Sequence, residues 1–159
     1  MCKQIFCVIF VALCLVLFCN VAAAQAARKS VTATEVTGTF AHRFGGKFKD
    51  TASEIRILST GKGKLRVAFD LVYPYIDVNG ERSANTGTAD GEATIKGDTA
   101  IYSSTEFGQC TITIRFVKPG TIEVSQNGTE NDCGFGFNVA ADGTYRKFSS
   151  RKPKFNTTN

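Results

Sequence analysis

The stretch Leu65-Arg66-Val67-Ala68-Phe69-Asp70-Leu71 alternates large apolar residues with polar or small ones over seven positions. Successive side chains of a β-strand point to opposite faces, so Leu65, Val67, Phe69 and Leu71 share one face. The pattern predicts a strand with one face in a core and the other in water. No helical stripe competes with this period of two in the rest of the chain after its N-terminal apolar segment, which favours an all-β fold.

Two further stretches alternate in the same way, one around Ile55 and Ile57 and one around Ile112, Ile114 and Phe116. Shorter strand candidates are residues 35–41, 92–95, 100–105, 121–126, 135–139 and 144–148. Turn sequences separate them at short spacing: Asn79-Gly80, Asp90-Gly91, Lys96-Gly97-Asp98, Pro119-Gly120, Asn127-Gly128 and Asp142-Gly143. Residues 83–89, which are small and mostly polar, are expected to form a mobile loop.

Eight or nine short strands joined by tight turns predict a small antiparallel up-and-down β-barrel of about eight strands. A two-sheet β-sandwich is the alternative. The barrel is favoured because closure removes the exposed sheet edges that an open sheet must protect.

Residues 1–24 are predicted to be a signal peptide. Lys3 precedes an apolar run over residues 5–18, and small residues offer cleavage after Ala24 or Ala26. The run is shorter than the roughly 20 residues that a membrane span needs, so the exported protein is expected to have no stable membrane span and to be secreted or periplasmic. Lipidation of Cys19 is a competing interpretation, which Phe18 disfavours because a small residue usually precedes a lipidated cysteine.

Four of the six cysteines lie in the signal segment, which leaves Cys110 and Cys133. A pair of cysteines in an exported chain predicts a disulfide, with two buried free thiols as the alternative. Cys110 has the same parity as Ile112, so its side chain is expected to point into the core.

Removing residues 1–24 lowers the formal net charge from +5 to +4, because that segment holds Lys3 and no acid. Residues 25–149 are predicted to form a single β-domain, and residues 150–159 a disordered basic polar tail. Arg146 and Lys147 add to the basic side chains of this region, which favours acidic partners or anionic surfaces. A solvated tail with no partner is the simpler interpretation.

The chain has few of the parts that enzymes use. His42 is the only histidine, no serine lies in a Gly-x-Ser-x-Gly turn, and Glu130 with Asp132 is the only close acidic pair near the cysteines. We therefore predict no enzymatic activity, no cofactor, no metal site and no nucleic-acid partner.

Two features predict binding. Tyr73-Pro74-Tyr75 follows the strongest strand and can form a rigid amphipathic contact surface, or alternatively close a barrel mouth. The thirteen phenylalanines can line a ligand cavity, or alternatively fill the core. Asn127 and Asn156 begin N-glycosylation sequons, which matter only in a eukaryotic host.

The run Cys133-Gly134-Phe135-Gly136-Phe137-Asn138-Val139-Ala140-Ala141-Asp142-Gly143-Thr144-Tyr145-Arg146-Lys147, preceded by residues 91–100 and 110–116, resembles the ending of small exported bacterial proteins of uncharacterised function. That resemblance implies export and a β fold. A looser similarity is to periplasmic lysozyme inhibitors, which present a Ser-Gly-x-x-Tyr loop. Here Asp142 replaces the serine and the spacing from Gly143 to Tyr145 is one residue shorter. The similarity implies contacts from Asp142, Gly143, Tyr145, Arg146 and Lys147.

Taken together, these features predict a monomeric, secreted, non-enzymatic β-barrel. Its expected partner is a protein at the loop end or a small apolar ligand in the interior. The alternative function is inhibition of a cell-wall hydrolase of the lysozyme type.

Overall fold

The computed structural model describes residues 30–155, which form a closed barrel of eight antiparallel strands. The strands are β1 (Gly38–Arg43), β2 (Ala52–Gly61), β3 (Lys64–Ile76), β4 (Arg82–Lys96), β5 (Thr99–Ser104), β6 (Cys110–Lys118), β7 (Thr121–Asn127) and β8 (Gly143–Ser149). Each strand pairs with the next, and β8 returns to β1, where Phe40 lies opposite Lys147. The predicted up-and-down barrel is confirmed, and the sandwich alternative is not. The predicted signal peptide and Asn156 lie outside the described residues.

The alternating stretches form the barrel wall as predicted. Leu65, Val67, Phe69 and Leu71 are buried, whereas Arg66 points into solvent. The interior also holds Phe40, Ile55, Ile57, Tyr102, Ile112, Ile114, Phe116, Ile122, Val124 and Tyr145. An eight-stranded barrel is just wide enough for its own side chains to fill it, and these side chains form one continuous core.

The two ends of the barrel differ. The turns after β2, β4 and β6 lie at one end, which also holds the short helix α1 (Ala33–Val36), and we call it the helix end. The other end, the cap end, holds residues 44–51, residues 77–81, residues 105–109 and a long loop over residues 128–142, which we call the cap loop.

Residues 35–41 do not form one strand, and the prediction for this segment was partly wrong. Thr32 caps α1 by accepting the Glu35 N–H at 3.2 Å, and the Glu35 carboxylate accepts the Thr32 N–H at 2.9 Å. This capping box satisfies free N–H groups of the first helical turn, and it delays the start of β1 to Gly38. Val36 is buried in the core at the helix end.

Two turn and loop predictions were wrong because β4 is longer than expected. Residues 83–89 and the pair Asp90-Gly91 all lie inside β4, which pairs with β3 from Lys64↔Thr94 to Ile76↔Arg82. Small residues, most of them polar, occupy both faces of this part of the strand. Its sequence therefore lacks the contrast between apolar and polar faces that marks the other strands.

Residues 135–139 were predicted to be a strand, but they belong to the cap loop, and Asp142-Gly143 leads into β8 and is not a hairpin turn. The apolar side chains of this segment cross the barrel mouth. Cys133, Phe135, Val139 and Ala141 are each at most 5% exposed. The segment is apolar because it covers the core, and it has no neighbouring strand to pair with beyond one bridge from Phe135 to Gly87.

Residues 150–155 lie against the barrel wall. The Lys154 carbonyl accepts a hydrogen bond from Arg56 Nη1 at 2.6 Å. The Phe155 ring lies 5.9 Å from the Arg56 guanidinium and 5.3 Å from that of Arg66. Cation–π contacts of this kind attach a tail that composition alone marks as polar and basic.

No helix within residues 30–155 has the length and apolar character needed to cross a bilayer.

Candidate functional site at the cap end of the barrel

The hairpin of β3 and β4 extends beyond the barrel wall at the cap end. The pairing of β2 with β3 ends at Glu54↔Asp70, and the pairing of β4 with β5 covers only Ala93–Lys96. The distal part of the hairpin, residues 73–85, is therefore a two-stranded ribbon. Tyr73 and Tyr75 continue the inward row of Leu71, so they project over the mouth of the barrel, and their rings stack with centroids 6.5 Å apart.

The cap loop holds the ribbon from one side. Gly136 N–H donates to the Thr86 carbonyl at 3.1 Å, and the Asn85 side-chain amide donates to the Phe137 carbonyl at 2.7 Å. Asn85 lies directly opposite Tyr73 in the register. The backbone of Phe137 therefore lies beside the ribbon, next to the residue that pairs with Tyr73.

The segment between β1 and β2 holds the ribbon from the other side. Asp50 forms an ion pair with Arg82, and the Arg82 guanidinium lies 5.7 Å from the centre of the Phe48 ring. The hydrogen bond from Arg82 lowers the pKa of the Asp50 carboxyl. The ion pair is exposed, so it contributes little to stability. Its main effect is to hold the ribbon next to residues 44–51.

The cap loop is fixed at its base by a disulfide between Cys110 and Cys133, whose Cα atoms are 4.9 Å apart. Both cysteines are buried, as the parity of Cys110 predicts. Asp132 accepts hydrogen bonds from the backbone N–H and the hydroxyl of Thr129, both at 2.8 Å. These bonds lower the pKa of Asp132, so their contribution is present at neutral pH and is lost only as the pH falls through that lowered pKa.

Four aromatic residues lie at this end, on the ribbon, in residues 105–109 and on the cap loop, and we call Tyr73, Tyr75, Phe107 and Phe137 the aromatic surface. Tyr73, Phe107 and Phe137 are 41%, 65% and 71% exposed. Phe107 lies against Gly134, where a Cβ atom would be only 2.5 Å from its ring. Val78 at the tip of the ribbon is fully exposed. Exposed aromatics gathered on a braced scaffold are typical of a protein-binding surface.

The charge of the cap end is negative. Its loops and the strand residues next to them hold seven acidic residues against four basic ones, a net charge of −3. The acids are Asp50, Asp77, Glu81, Glu106, Glu130, Asp132 and Asp142, and the basic residues are Arg43, Lys47, Lys49 and Arg82.

An open cleft of about 570 Å³ lies where β4 separates from β5. Its lining includes Phe69 and Tyr102, but also the carboxylates Asp70, Asp90 and Glu106. Burial raises the pKa of Tyr102, which fits a phenol on the wall of the core. A cleft lined by three carboxylates disfavours a purely apolar ligand.

Some of the residues predicted to bind lie near this surface and others do not. Tyr73 and Tyr75 belong to it. Asp142 is exposed at the start of β8, where its carboxylate accepts the Gln126 N–H at 3.1 Å. Gly143 lies in β8 against His42, and Arg146 is exposed on the barrel wall. Asn127 is exposed at the end of β7.

Tyr145 lies in the core of the barrel and not on its surface. It is 1% exposed, and its hydroxyl donates to the Ala141 carbonyl at 3.0 Å. Burial raises the pKa of its phenol strongly. Tyr145 lies in the interior because it has the inward parity of β8, so the inhibitor-type loop that the sequence suggests around Asp142–Tyr145 is strand and core.

The Lys147 side chain is also engaged inside the protein, at the end of α1. Its Nζ donates to the carbonyls of Thr34, Glu35 and Thr37 at 3.1, 2.6 and 2.9 Å, and it lies 5.1 Å from the centre of the Phe40 ring. Burial lowers the pKa of the ammonium group, and the Glu35 carboxylate opposes that shift. Lys147 therefore satisfies the free carbonyls at the end of α1 and joins the helix to the barrel.

Lys147→Met keeps most of the side-chain volume but removes the three hydrogen bonds. We expect the free energy of unfolding to fall by about 2 kcal/mol, because hydrogen bonds from a charged donor are stronger than neutral ones. Urea unfolding measures the change. The matched control is Arg146→Met on the exposed face, which we expect to change stability by no more than about 0.5 kcal/mol. Equal losses in both variants would contradict this role of Lys147.

Gly87 allows the cap loop to approach the ribbon, because a Cβ atom there would lie 2.8 Å from two atoms of the Phe135 side chain. We expect Gly87→Ala to displace Phe135 and to cost about 2 kcal/mol of unfolding free energy. Gly45→Ala is the matched control, since its Cβ would meet nothing within 4 Å and its φ of −109° is ordinary. Its effect should stay within about 1 kcal/mol. Differential scanning calorimetry compares the two, and equal melting temperatures would contradict the packing argument.

His42 is part of the barrel wall. Its Nδ1 donates to the Thr144 carbonyl at 3.0 Å, and its ring contacts those of Phe44 and Tyr145. Over residues 30–155, no group of three His, Cys, Asp or Glu side chains is arranged to hold a metal ion.

Sequence reasoning missed Phe107, Phe137 and Val78. Phe137 was assigned to a strand, and Phe107 lies in a connection that carried no motif. A signal was present for Phe137, because it is flanked by Gly136 and Asn138, residues typical of loops. Asn138 does take a positive φ of 61°.

The fold and this surface define a small eight-stranded antiparallel barrel whose mouth is covered by a disulfide-anchored loop. No protein-family model, no curated protein and no solved structure matches the chain.

Proposed function

We propose that this protein is an exported, monomeric, non-enzymatic binding module that engages a protein partner through the aromatic surface. The carrying observation is that Tyr73, Phe107 and Phe137 remain exposed on parts of the chain that hydrogen bonds and a disulfide hold in place. Aromatic side chains that are already ordered lose little conformational entropy on binding, and they are frequent hot spots of protein interfaces.

The packing of the barrel favours a protein over an apolar ligand in the interior. Phe40, Phe69, Tyr102, Phe116 and Tyr145 occupy the inside of the barrel, and the cap loop covers the mouth with Phe135 and Val139. A ligand in the interior would have to displace these side chains. A partner at the aromatic surface requires no such rearrangement.

The charge of the cap end indicates the chemistry of the partner. Acidic residues outnumber basic ones at the end that holds the aromatic surface, which gives this end a net charge of −3. We therefore propose a partner whose contact face has an apolar centre and a basic rim, because complementary charge increases the rate of association and excludes like-charged competitors.

Site-specific photocrosslinking in the exporting host tests the proposal. A benzophenone side chain replaces Tyr73 or Phe137 in two variants, and Ile101 or Phe148 in two controls. Ile101 and Phe148 are 48% and 53% exposed on the barrel wall, so reactivity due to exposure alone is matched. We expect one protein to crosslink at positions 73 and 137 at yields at least about five times those of the controls. Equal yields at all four positions would refute the aromatic surface as the binding site.

Inhibition of a cell-wall hydrolase remains the second candidate, and the acidic cap end is the observation that favours it, since electrostatic attraction would steer a basic enzyme to this end. The contacts would then come from the aromatic surface, because Tyr145 and Lys147 are engaged inside the protein. A turbidity assay with a basic lysozyme and cell-wall substrate tests it. Loss of lysis at equimolar protein supports this candidate, whereas full lysis at a hundredfold excess excludes it.

A further inference from the structure

Lysines lie at three hairpin tips of the same barrel end. Lys62 is in the turn after β2, Lys96 ends β4 and Lys118 ends β6, and all three are exposed. In an up-and-down barrel every second turn lies at the same end, so these three lysines surround the helix end. Arg151 and Lys152, which follow β8, are exposed where the chain leaves the same end.

These cations are not neutralised by acidic neighbours, unlike those on the barrel wall. On the wall, Arg56 pairs with Asp70, Arg66 with Asp90 and Arg115 with Glu123. At the helix end itself, Lys64 pairs with Glu92 on the next strand. Among the residues the structure describes, Lys62, Lys96 and Lys118 have no carboxylate within ion-pair distance. The wall is thus matched in charge while the tips are not.

The resulting charge separation follows the barrel axis. The helix end holds seven basic residues against three acidic ones, a net charge of +4, whereas the cap end carries −3. The basic residues are Lys62, Lys64, Lys96, Lys118, Lys147, Arg151 and Lys152, and the acidic residues are Glu35, Glu92 and Asp98.

The arrangement of the tips indicates a flat anionic surface. Neighbouring tips on this end are separated by two strands, and strands lie about 4.8 Å apart, so the backbones of neighbouring tips stand about 10 Å apart. The headgroups of an anionic bilayer can meet several tips at once.

We propose that the helix end binds the surface of a bilayer that contains anionic phospholipids, with Lys62, Lys96 and Lys118 as the main contacts. Binding in this orientation directs the cap end and its aromatic surface away from the membrane. The interaction is peripheral and electrostatic, so it weakens as the ionic strength rises.

Vesicle cosedimentation tests the proposal with the protein in the form that its host exports. The probes are two kinds of vesicle. One is phosphatidylcholine alone, and the other is phosphatidylcholine with about 30 mol% phosphatidylglycerol, which is close to the anionic content of cell membranes. The tip variant is Lys62→Glu/Lys96→Glu/Lys118→Glu. The matched control, Arg43→Glu/Lys47→Glu/Lys49→Glu, makes the same change in net charge at the cap end.

We expect the wild-type protein to partition onto the anionic vesicles at least about tenfold more than onto neutral ones, and added salt at about 0.5 M to remove that preference. The tip variant should lose about tenfold or more, and the control less than about threefold. Circular dichroism confirms that both variants are folded. Equal losses in the two variants, no preference for anionic vesicles, or tight binding to soluble heparin without vesicle binding would each overturn the proposal. Crosslinking at the cap end is measured separately, so either proposal can fail alone.

Discussion

Tyr145→Ala is expected to lower the free energy of unfolding by about 4 kcal/mol, because the change removes a fully buried aromatic ring and leaves a cavity in the barrel. Urea denaturation followed by far-UV circular dichroism measures this loss. A small domain is stable by only about 5–15 kcal/mol, so this variant should be close to unfolding at physiological temperature.

Tyr145→Phe separates the ring from its hydroxyl. It keeps the ring and removes the hydrogen bond to the buried carbonyl of Ala141, so we expect a loss of about 1 kcal/mol. If Tyr145 were instead a contact residue of a surface loop, Tyr145→Ala would leave the denaturation midpoint unchanged. That result would contradict the assignment of Tyr145 to the core.

Cys110→Ala/Cys133→Ala is expected to destabilise the protein by about 3 kcal/mol, since the disulfide closes a loop over a sequence separation of 23 residues. The larger consequence is local. Without the bond, the cap loop is held mainly by a few hydrogen bonds and by the packing of Phe135 and Val139. We expect the rate of amide hydrogen exchange to rise much more in residues 128–142 than in β2 and β3.

Hydrogen exchange read by mass spectrometry resolves the two effects. Comparison with the reduced wild-type protein controls for the loss of the two sulfur atoms from the core, because the reduced protein keeps both side chains. Uniform exchange across the barrel and the cap loop in both forms would show that the bond stabilises the whole fold and does not specifically anchor the loop.

The barrel was predictable because its strands have two clearly different faces. Leu65 to Leu71 and Ile112 to Phe116 place every second, apolar side chain in the core, and this contrast is read directly from the sequence. The disulfide was predictable for a similar reason, since only two cysteines remain after the N-terminal segment and the parity of Cys110 points it inward.

The errors have a common physical cause, which is that apolar residues report burial and not secondary structure. Phe135 and Val139 are buried because they cover the barrel mouth, and the same spacing in a strand would look identical. Tyr145 and Lys147 looked like a binding loop because aromatic and basic residues are frequent in both places, and only the register of β8 distinguishes them. The first part of β4 was missed because its residues are small on both faces, whereas residues 92–95 were predicted as a strand.

The aromatic surface was only half predictable. Tyr73 and Tyr75 follow the strongest strand and were recognised as a contact candidate, whereas Phe137 joins them only through the path of the cap loop. That path depends on Gly87, whose missing side chain leaves room for Phe135. A contact between residues 52 positions apart that relies on one absent side chain carries no local sequence signal.

The affinity of the protein for its crosslinked partner, measured by isothermal titration with the purified proteins, tests the aromatic surface most directly. We predict that Tyr73→Ala/Phe137→Ala weakens binding at least about tenfold at an unchanged melting temperature, while Ile101→Ala on the barrel wall changes it less than about twofold. Equal affinities for the wild-type protein and the double variant would contradict the claim that the aromatic surface at the cap end is the binding site.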